Sequence, residues 1–560
     1  MLGHAKPARF RGLTLPPGGW SLAALLALYV LPGLIGHDPW KNDDAVTIGV
    51  VHEMLSSGNW LTPGLAGRPY PDAPPYPDAP LYYWLAASTG YLSSWLLPLH
   101  DGVRLASGVC TLLALAFILL AARELHGRSE APAAPLLLAG SIGFLFHAHE
   151  AQPMLATLAA HAAAYWGLTQ LERRPGRGAV VFATSLGLGL LTNGLTAMLP
   201  LLPVAALVAW RAENRQRAVL LLAASLLLAT LPAAAWLLAL SIRDPAYLAA
   251  FSIAELSQLR GTAQPGPRLL RLLLMLPWYA WPAFPLAAWA LWARRRHLRG
   301  TPLALPIFAL LFALPTISLW LDARSASALL LLPPLVLLAV PGVSSLRRGA
   351  ANAFDWFGMI TFSILALLAW LGWCAIVFGW PASLGRQSLR LAPGFIAHFS
   401  LVGAGFALLA TAAWCWLIAT TARSPMRGIM HWMAGLTLFW LLVAALWMPW
   451  IDHIKTYRQP AASLARNLPT TYGCIASVNV ADPVLASLDY FEGIRTLPAA
   501  SPAARNCELR LTHGSPKDGG LTTESGWRKI WQGGRPTDRR ESEKLQLYLR
   551  GSQRGSAPDS

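Results

Sequence analysis

Charged residues are scarce in this 560-residue chain: Asp, Glu, Lys and Arg make up 13% of it, while 55% is hydrophobic. Soluble domains carry about 25% charged residues, so the composition excludes an ordinary soluble protein. Uncharged runs of about twenty residues recur along the chain, and that length crosses the hydrocarbon core of a bilayer. The sequence therefore predicts a polytopic membrane protein.

Acidic residues are outnumbered by basic ones, 27 against 44, which leaves a formal net charge of +17. Such an excess could suit nucleic acid, but the sequence lacks a basic stripe interleaved with aromatic residues. The arginines instead form short tufts between apolar runs, as orientation signals do. The first apolar run, 20–35, is followed by a poor cleavage site, so we interpret it as a retained span. We expect no nucleic-acid partner.

Apolar runs up to residue 450 predict a mainly α fold with about 13 transmembrane helices. With the N-terminus in the cytoplasm, every arginine-rich short loop falls on the cytoplasmic side. The opening loop, 38–103, and the chain after residue 450 then face the periplasm from a bacterial inner membrane. The loops 241–267 and 381–393 are expected on that side too. The spans expected after the first are 105–122, 132–146, 154–171, 179–191, 195–210, 218–240, 269–292, 303–321, 326–340, 356–378, 395–420 and 432–450.

From residue 451 the charge rises and the long apolar runs stop. Segments 471–480, 508–512 and 527–531 predict strands, and 482–491 predicts a helix. We expect a membrane domain over 1–450, a small periplasmic α/β domain over 451–550 and a disordered tail over 551–560. Cys474 and Cys507 fall in the outer domain, where an oxidising compartment would permit a disulfide. Two buried thiols are the alternative.

The opening loop concentrates carboxylates, tyrosines and prolines. Asn42, Asp43 and Asp44 precede the segment 45–55, whose apolar spacing predicts an amphipathic helix suited to the membrane surface. Asn42 or Asp43 could simply cap this helix. Alternatively, a carboxylate here could take a proton from an acceptor hydroxyl or stabilise positive charge at a sugar carbon. A divalent cation is a weaker possibility, since no further ligand follows at suitable spacing, and we assign no metal-binding residue.

Further along the loop, a repeated hexapeptide occupies 69–74 and 75–80, and Tyr82, Tyr83 and Trp84 follow it. These aromatic residues suit an interfacial belt, although tyrosine hydroxyls could also bind a lipid phosphate. Two histidines beside Glu150, His147 and His149, could form a zinc site only in a loop geometry, and ordinary polar loop residues are the alternative. His161, in the middle of a span, is either functional or paired with a neighbouring helix.

The order of three motifs, DPWKNDDA, SGNWLTP and PDAPLYYW, resembles the first outer loop of the C-type membrane glycosyltransferases. The likeness is to bacterial aminoarabinose transferases and, more distantly, protein O-mannosyltransferases, and it covers residues 15 to 340. It implies a polyprenyl-phosphate sugar donor and inverting transfer to a lipid A-like glycolipid or another envelope acceptor. Matching the motifs makes Asp43 the catalytic aspartate and Asp44 its acidic neighbour.

The chain departs from this family's pattern at three places. A lysine before the P-L-Y-Y-W end is replaced by Asp78, a second aspartate falls near Gln152, and a lysine-glycine pair is Asn193-Gly194. Glu150 could stand in for the second aspartate. Phosphate binding could shift to arginine, whose planar fork fits phosphate oxygens, although surface snorkelling is the ordinary alternative. The substrate-binding candidates are Arg260, Tyr82, Tyr83, Arg68, Arg104 and Glu150, with Arg324 a weaker one.

Two other functions remain open at this point. A transporter or lipid flippase should carry ionisable residues deep in its spans and an internal repeat, and the sequence offers His161 and no convincing repeat. A degenerate enzyme that binds a polyprenyl lipid without turnover is favoured by Asp78 and Gln152. The leading hypothesis is a membrane glycosyltransferase.

Overall fold

The computed structural model describes residues 19–40, 42–68, 78–296, 298, 302–321, 326–514, 526–538, 540 and 543–550. The hexapeptide segment 69–77, Arg324 and the tail 551–560 lie outside the described residues. Up to Lys455, the regular elements among the described residues are helices. The α-helices are α1 (Gly19–Val30), α2 (Asn42–Ser57), α3 (Leu81–Ser93), α4 (Leu99–His126), α5 (Ala133–Ala139), α6 (Ile142–Ala148), α7 (Met154–Gln170), α8 (Pro175–Met198), α9 (Leu201–Arg211), α10 (Arg215–Arg243), α11 (Pro245–Leu259), α12 (Pro265–Tyr279), α13 (Ala283–Ala293), α14 (Ala304–Trp320), α15 (Leu332–Ser345), α16 (Arg348–Phe378), α17 (Ala382–Leu391), α18 (Leu401–Thr420), α19 (Arg427–Leu442) and α20 (Met448–Lys455).

In the described part of the chain, seven helices are long and apolar enough to cross a membrane, or eight if one bent pair counts as a span. The expected number of about 13 stays a prediction, because several apolar runs form helices of only 10–17 residues, such as α9 and α14. The sequence predicted a mostly helical chain with several apolar helices of membrane-spanning length, and the structure confirms that prediction.

Three expected spans have a different shape. The run 132–146 divides into α5 and α6, with Gly140 and Ser141 between them. The run 269–292 divides into α12 and α13, which meet at 98°. Residues 395–400 are not helical, so α18 begins later than expected. Backbone geometry also breaks α8 near its end, at Asn193 and Gly194, where the sequence predicts an outer loop. The loops 241–267 and 381–393 contain helices, α11 and α17.

The C-terminal part is an α/β domain with two helices, α21 (Arg458–Asn467) and α22 (Asp482–Glu492). Its five strands are β1 (Ile475–Val478), β2 (Leu497–Pro498), β3 (Leu509–His513), β4 (Trp527–Gly533) and β5 (Leu545–Arg550), in the order β2-β1-β3-β5-β4. The β1 strand is parallel to β2 and β3, whereas β5 runs antiparallel to β3 and β4. The sequence analysis did not predict strand β5, which lies between β3 and β4 in the sheet. The sulfurs of Cys474 and Cys507 are joined beside β1.

Helix α2 differs from the surface helix that the sequence suggests. Its residues Ile48, Val50 and Val51 are fully buried, and they belong to the same core as the membrane helices. On another face α2 packs against α22: a Cβ on Gly49 would lie 2.7 Å from the Ala486 Cβ. The helix is therefore enclosed between the bundle and the C-terminal domain, and this fixes the position of its first turn.

Candidate active site

A cavity of about 1090 Å³ lies between the membrane helices and the C-terminal domain. The first turn of α2, the start of α3, the α6–α7 connection and the α8 break supply one side. The end of α20, the start of α22 and the turn after β4 supply the other. Its lining residues are Trp40, Asn42, Asp43, Val46, Thr47, Asp78, Tyr83, His147, Glu150, Gln152, Pro153, Met154, Asn193, Ala326, Ser327, Lys455, Asp482, Pro483 and Arg535. That volume is enough for a sugar with a phosphate group, since small-molecule sites hold about 300–1,000 Å³.

Asp43 faces this cavity from the first turn of α2. Its Oδ2 accepts a hydrogen bond of 2.8 Å from the side-chain amide of Gln152. The side chain is half-buried, and the described part of the chain gives it no cationic partner. A carboxylate oriented by an amide, with no cation neutralising it, is suited to accept a proton or to stabilise developing positive charge.

Asp44 points away from the cavity into the protein. Its side chain is 1% exposed, and it forms a two-pronged ion pair with Arg104, at 3.0 Å to Nε and 2.7 Å to Nη2. The Ala151 backbone N–H also donates to it, at 2.7 Å. Burial raises the pKa of Asp44, but the charge and hydrogen bonds of Arg104 outweigh burial and leave that pKa below its usual value. The geometry makes Asp44 an anchor for α2 rather than a group that meets substrate.

Arg104, a candidate phosphate ligand, is fully buried and does not line the cavity. Besides Asp44, its Nη1 contacts the His37 carbonyl at 2.8 Å and Asp101 at 3.1 Å. With its donors engaged in this way, Arg104 ties the opening loop to α4. An arginine at the start of an apolar run does indicate a buried partner, but the partner is sixty positions away.

Asp78 and Tyr83 both line the cavity and contact each other. The Tyr83 hydroxyl donates to Asp78 Oδ2 at 3.0 Å, and the Asn193 amide donates to Asp78 Oδ1 at 2.7 Å. Two positions where the sequence departs from the family pattern are thus joined by a hydrogen bond. Tyr82, in contrast, is fully buried and pairs with the Ser107 hydroxyl, which supports the α3–α4 packing.

Glu150 lines the cavity beside His147, and its carboxylate is in close contact with the His147 Nδ1. His149 points elsewhere, with its Nε2 bonded to the Tyr29 carbonyl. In the part of the chain that the structure describes, no group of three His, Cys, Asp or Glu side chains could hold a metal ion. The described residues therefore offer no ligand set that fits a divalent cation.

The remaining arginine candidates lie outside the lining. Arg68 forms an ion pair of 3.0 Å with Asp482 across the α2–α22 boundary. Arg260 follows α11 and is exposed. The cations that do line the cavity, Lys455 and Arg535, were missed by sequence reasoning. A signal existed for Lys455, a basic residue directly after the last apolar run, on the side where other short loops carry few. No local signal marks Arg535.

The opening loop is attached to the C-terminal segment through Asp38. Its carboxylate accepts hydrogen bonds of 2.8 Å from both the Thr456 hydroxyl and Arg458 Nε, and its backbone N–H donates to Asp452 at 3.0 Å. Burial raises the pKa of Asp38, yet the hydrogen bonds from Arg458 and Thr456 hold that pKa below its usual value. An ionised Asp38 therefore links the two sides of the cavity.

Residues 75–236 match the family described as dolichyl-phosphate-mannose-protein mannosyltransferase. The fold is similar to that of ArnT from Cupriavidus metallidurans bound to undecaprenyl phosphate, with a TM-score of 0.64 at 17% identity over 95% of this chain and 98% of that one. The chain therefore has the fold of ArnT, and its segment 75–236 is similar to a family of membrane glycosyltransferases.

The relatives that are similar in sequence are named as arabinosyl transferases. The undecaprenyl phosphate-alpha-4-amino-4-deoxy-L-arabinose arabinosyl transferase of Pseudomonas aeruginosa (strain UCBPP-PA14) is 27% identical over 475 residues, which cover 81% of this chain and 80% of that one. Its namesake from Edwardsiella ictaluri (strain 93-146) is 29% identical over 246 residues. That match covers 41% of each chain, less than half of the relative's length.

Proposed function

We propose that the protein transfers a sugar from a polyprenyl-phosphate donor to a cell-envelope acceptor on the periplasmic face of a bacterial inner membrane. The observation that supports this best is the Asp43 carboxylate, which faces a cavity of about 1090 Å³ and is oriented by Gln152. The similarity to transferases whose names specify undecaprenyl phosphate supports the donor class.

In this proposal Asp43 takes the proton from an acceptor hydroxyl as that oxygen attacks the anomeric carbon of the sugar. A new carbon–oxygen bond forms, the bond from the anomeric carbon to the phosphate oxygen breaks, and its electron pair leaves with the polyprenyl phosphate. Attack opposite the leaving group inverts the anomeric centre. Phosphate leaves readily, so no strong general acid is required.

An amino sugar is the donor group that the cavity favours. Four carboxylates line it, those of Asp43, Asp78, Glu150 and Asp482. A protonated amine on the sugar would be attracted to this acidic surface. The names of the relatives include a 4-amino-4-deoxy-L-arabinose, and a lipid A-like glycolipid is the acceptor that we propose. The arginine-rich loops support a cytoplasmic N-terminus, with the cavity and the domain after residue 450 in the periplasm.

The test is sugar transfer in proteoliposomes with the Asp43→Asn variant. Asparagine keeps the size of the side chain and can still accept from Gln152, but it cannot take a proton, so we expect the rate to fall at least 100-fold. Glu172→Gln is the matched control. Glu172 is an exposed carboxylate in the turn after α7, and its loss should leave the rate within twofold.

The alternatives predict other results. A transporter or flippase would move polyprenyl lipid at the same rate with or without Asp43. A degenerate lipid-binding protein would bind the donor, but the unmodified protein would transfer no sugar. Transfer that survives Asp43→Asn would refute the assignment of Asp43.

A further inference from the structure

The cavity has two chemically different sides. Asp43, Asp78 and Glu150 lie on the side formed by α2, α3 and the membrane helices. Lys455 and Arg535 lie on the other side, and among the described residues that line the cavity they are the only Lys or Arg. Asp482 also lies on that side, but its carboxylate is paired with Arg68 at 3.0 Å. A ligand with one anionic end and one end rich in hydroxyl or amino groups would be oriented by this separation of charge.

Arg535 is held in position by its own surroundings. Its Nη2 and Nε contact the Asp538 carboxylate at 3.1 Å and 3.2 Å, and its guanidinium lies 4.5 Å from the centre of the Tyr457 ring. These contacts restrict the long side chain before any ligand arrives, which lowers the entropy lost on binding. Because Asp538 uses only part of the guanidinium, the fork can still donate to another anion.

Lys455 is the last residue of α20. It is half-buried, and within the described part of the chain its ammonium has no carboxylate partner or hydrogen bond. A lysine favours the C-terminal end of a helix for electrostatic reasons alone. However, a lysine that lines a cavity and lacks a counter-ion also attracts an anion. Three donors on one ammonium fit the several oxygens of a phosphate group.

We infer that Lys455 and Arg535 form a lipid-phosphate site, so that a bound lipid phosphate sits against the C-terminal domain while its sugar faces Asp43. The inference rests on the proposed function for the direction of the sugar, but not for the binding itself. It makes the C-terminal domain part of substrate recognition. It also explains how a phosphate is accommodated in a cavity whose bundle side is acidic at Asp78.

Two lipids could bring the phosphate, the polyprenyl donor or a phosphorylated acceptor. Binding to the purified full-length protein in nanodiscs separates them. One arm measures undecaprenyl monophosphate, and the other compares diphosphoryl lipid A with its dephosphorylated form. Neither arm requires turnover, so a failure of sugar transfer with intact binding would contradict the proposed function without affecting this site.

Lys455→Met keeps the length of the side chain and removes its charge, and we expect at least tenfold weaker binding of one phosphorylated lipid. Lys455→Arg should retain binding within threefold. Lys529→Met, on β4 and away from the cavity, is the control for charge loss in the same domain and should change nothing. Arg535→Gln should weaken binding of the same lipid. The thermal stability of this variant is measured alongside binding, because Arg535 also contacts Asp538.

The arm that responds identifies the lipid. Loss with undecaprenyl monophosphate assigns the site to the donor, and loss with diphosphoryl lipid A alone assigns it to the acceptor. Unchanged affinity of Lys455→Met for both lipids would overturn the inference. An equal loss with Lys529→Met would also overturn it, since it would indicate only a general effect of net charge.

Discussion

The buried ion pair between Asp44 and Arg104 should stabilise the fold and take no part in the chemistry. The two side chains are 1% and 0% exposed, and two hydrogen bonds of 3.0 and 2.7 Å join them. Removing one member of such a pair leaves an uncompensated buried charge, which costs about 3–5 kcal/mol. Arg104→Met should fall in this range, because it leaves the carboxylate of Asp44 without a cation and the carbonyl of His37 without its arginine donor.

The double variant Asp44→Asn/Arg104→Met provides the quantitative check. Asparagine still accepts from the Ala151 N–H, so this contact survives the substitution. With both charges gone, neither residue is left as an isolated buried ion. We therefore expect the double variant to lose less stability than the sum of the two single losses, by about 1–3 kcal/mol.

The pH dependence of stability provides an independent test of the structural role of Asp44. The pKa of Asp44 is lowered in the folded protein, mainly because Arg104 outweighs the effect of burial. A carboxylate with a depressed pKa contributes stability above its unfolded value of about 3.9, and that contribution is lost as the pH falls through the folded pKa. The stability difference between the unmodified protein and Asp44→Asn should thus stay constant from pH 5 to 8.

Unfolding can be followed in mixed micelles by tryptophan fluorescence, since the chain has 25 tryptophans. Sugar transfer is measured on the folded fraction of each variant. If Asp44→Asn abolished transfer while leaving stability unchanged, Asp44 would be a reacting group and the structural role would be refuted. Strict additivity of the two single losses would equally contradict a direct interaction between Asp44 and Arg104.

Three further outcomes are expected. Gln152→Ala removes the amide that orients Asp43, so transfer kinetics should show kcat about tenfold lower with KM little changed. An unchanged kcat would contradict the orienting role of Gln152. Burial raises the pKa of Glu255 to about 7, so its ionisation at higher pH costs stability. In unfolding assays, Glu255→Gln should therefore stabilise the protein at pH 8 by no more than about 3 kcal/mol, and should not stabilise it at pH 4. Cys507→Ser opens a loop of 33 residues closed with Cys474 and should destabilise the C-terminal domain by about 2–4 kcal/mol in denaturant titrations, with Cys415→Ser, an exposed free cysteine, as the control.

The membrane helices were largely predictable because an uncharged run of sufficient length has few alternatives to a helix in a bilayer. The predicted spans 105–122, 218–240 and 356–378 each fall inside a single helix, α4, α10 and α16. The angle of 98° between α12 and α13 was not predictable from hydropathy, which measures the length of a run and not its direction. Helix ends were missed for the same reason.

The candidate site also contains residues that the sequence predicted and residues that it did not. Asp43 followed from the motif and from the helix start that it occupies. The separate roles of Asp43 and Asp44 did not follow, since adjacent residues on a helix differ by about 100° in direction and only the packed structure determines which one faces the cavity. Gln152 and Lys455 lie more than a hundred residues from Asp43, and local patterns carry no information about such contacts.

The C-terminal domain is joined to the opening loop too closely to be an independent appendage. Asp38 bonds to Arg458, and Glu53 accepts a 2.9 Å hydrogen bond from Arg495, whose neighbour in the fold is Gly67. Added to the contact of α2 with α22, these links enclose the catalytic candidate between parts of the chain that are more than 400 residues apart. A cavity built in this way exists only when both parts have folded, so the domain after residue 450 determines the shape of the site as well as its charge.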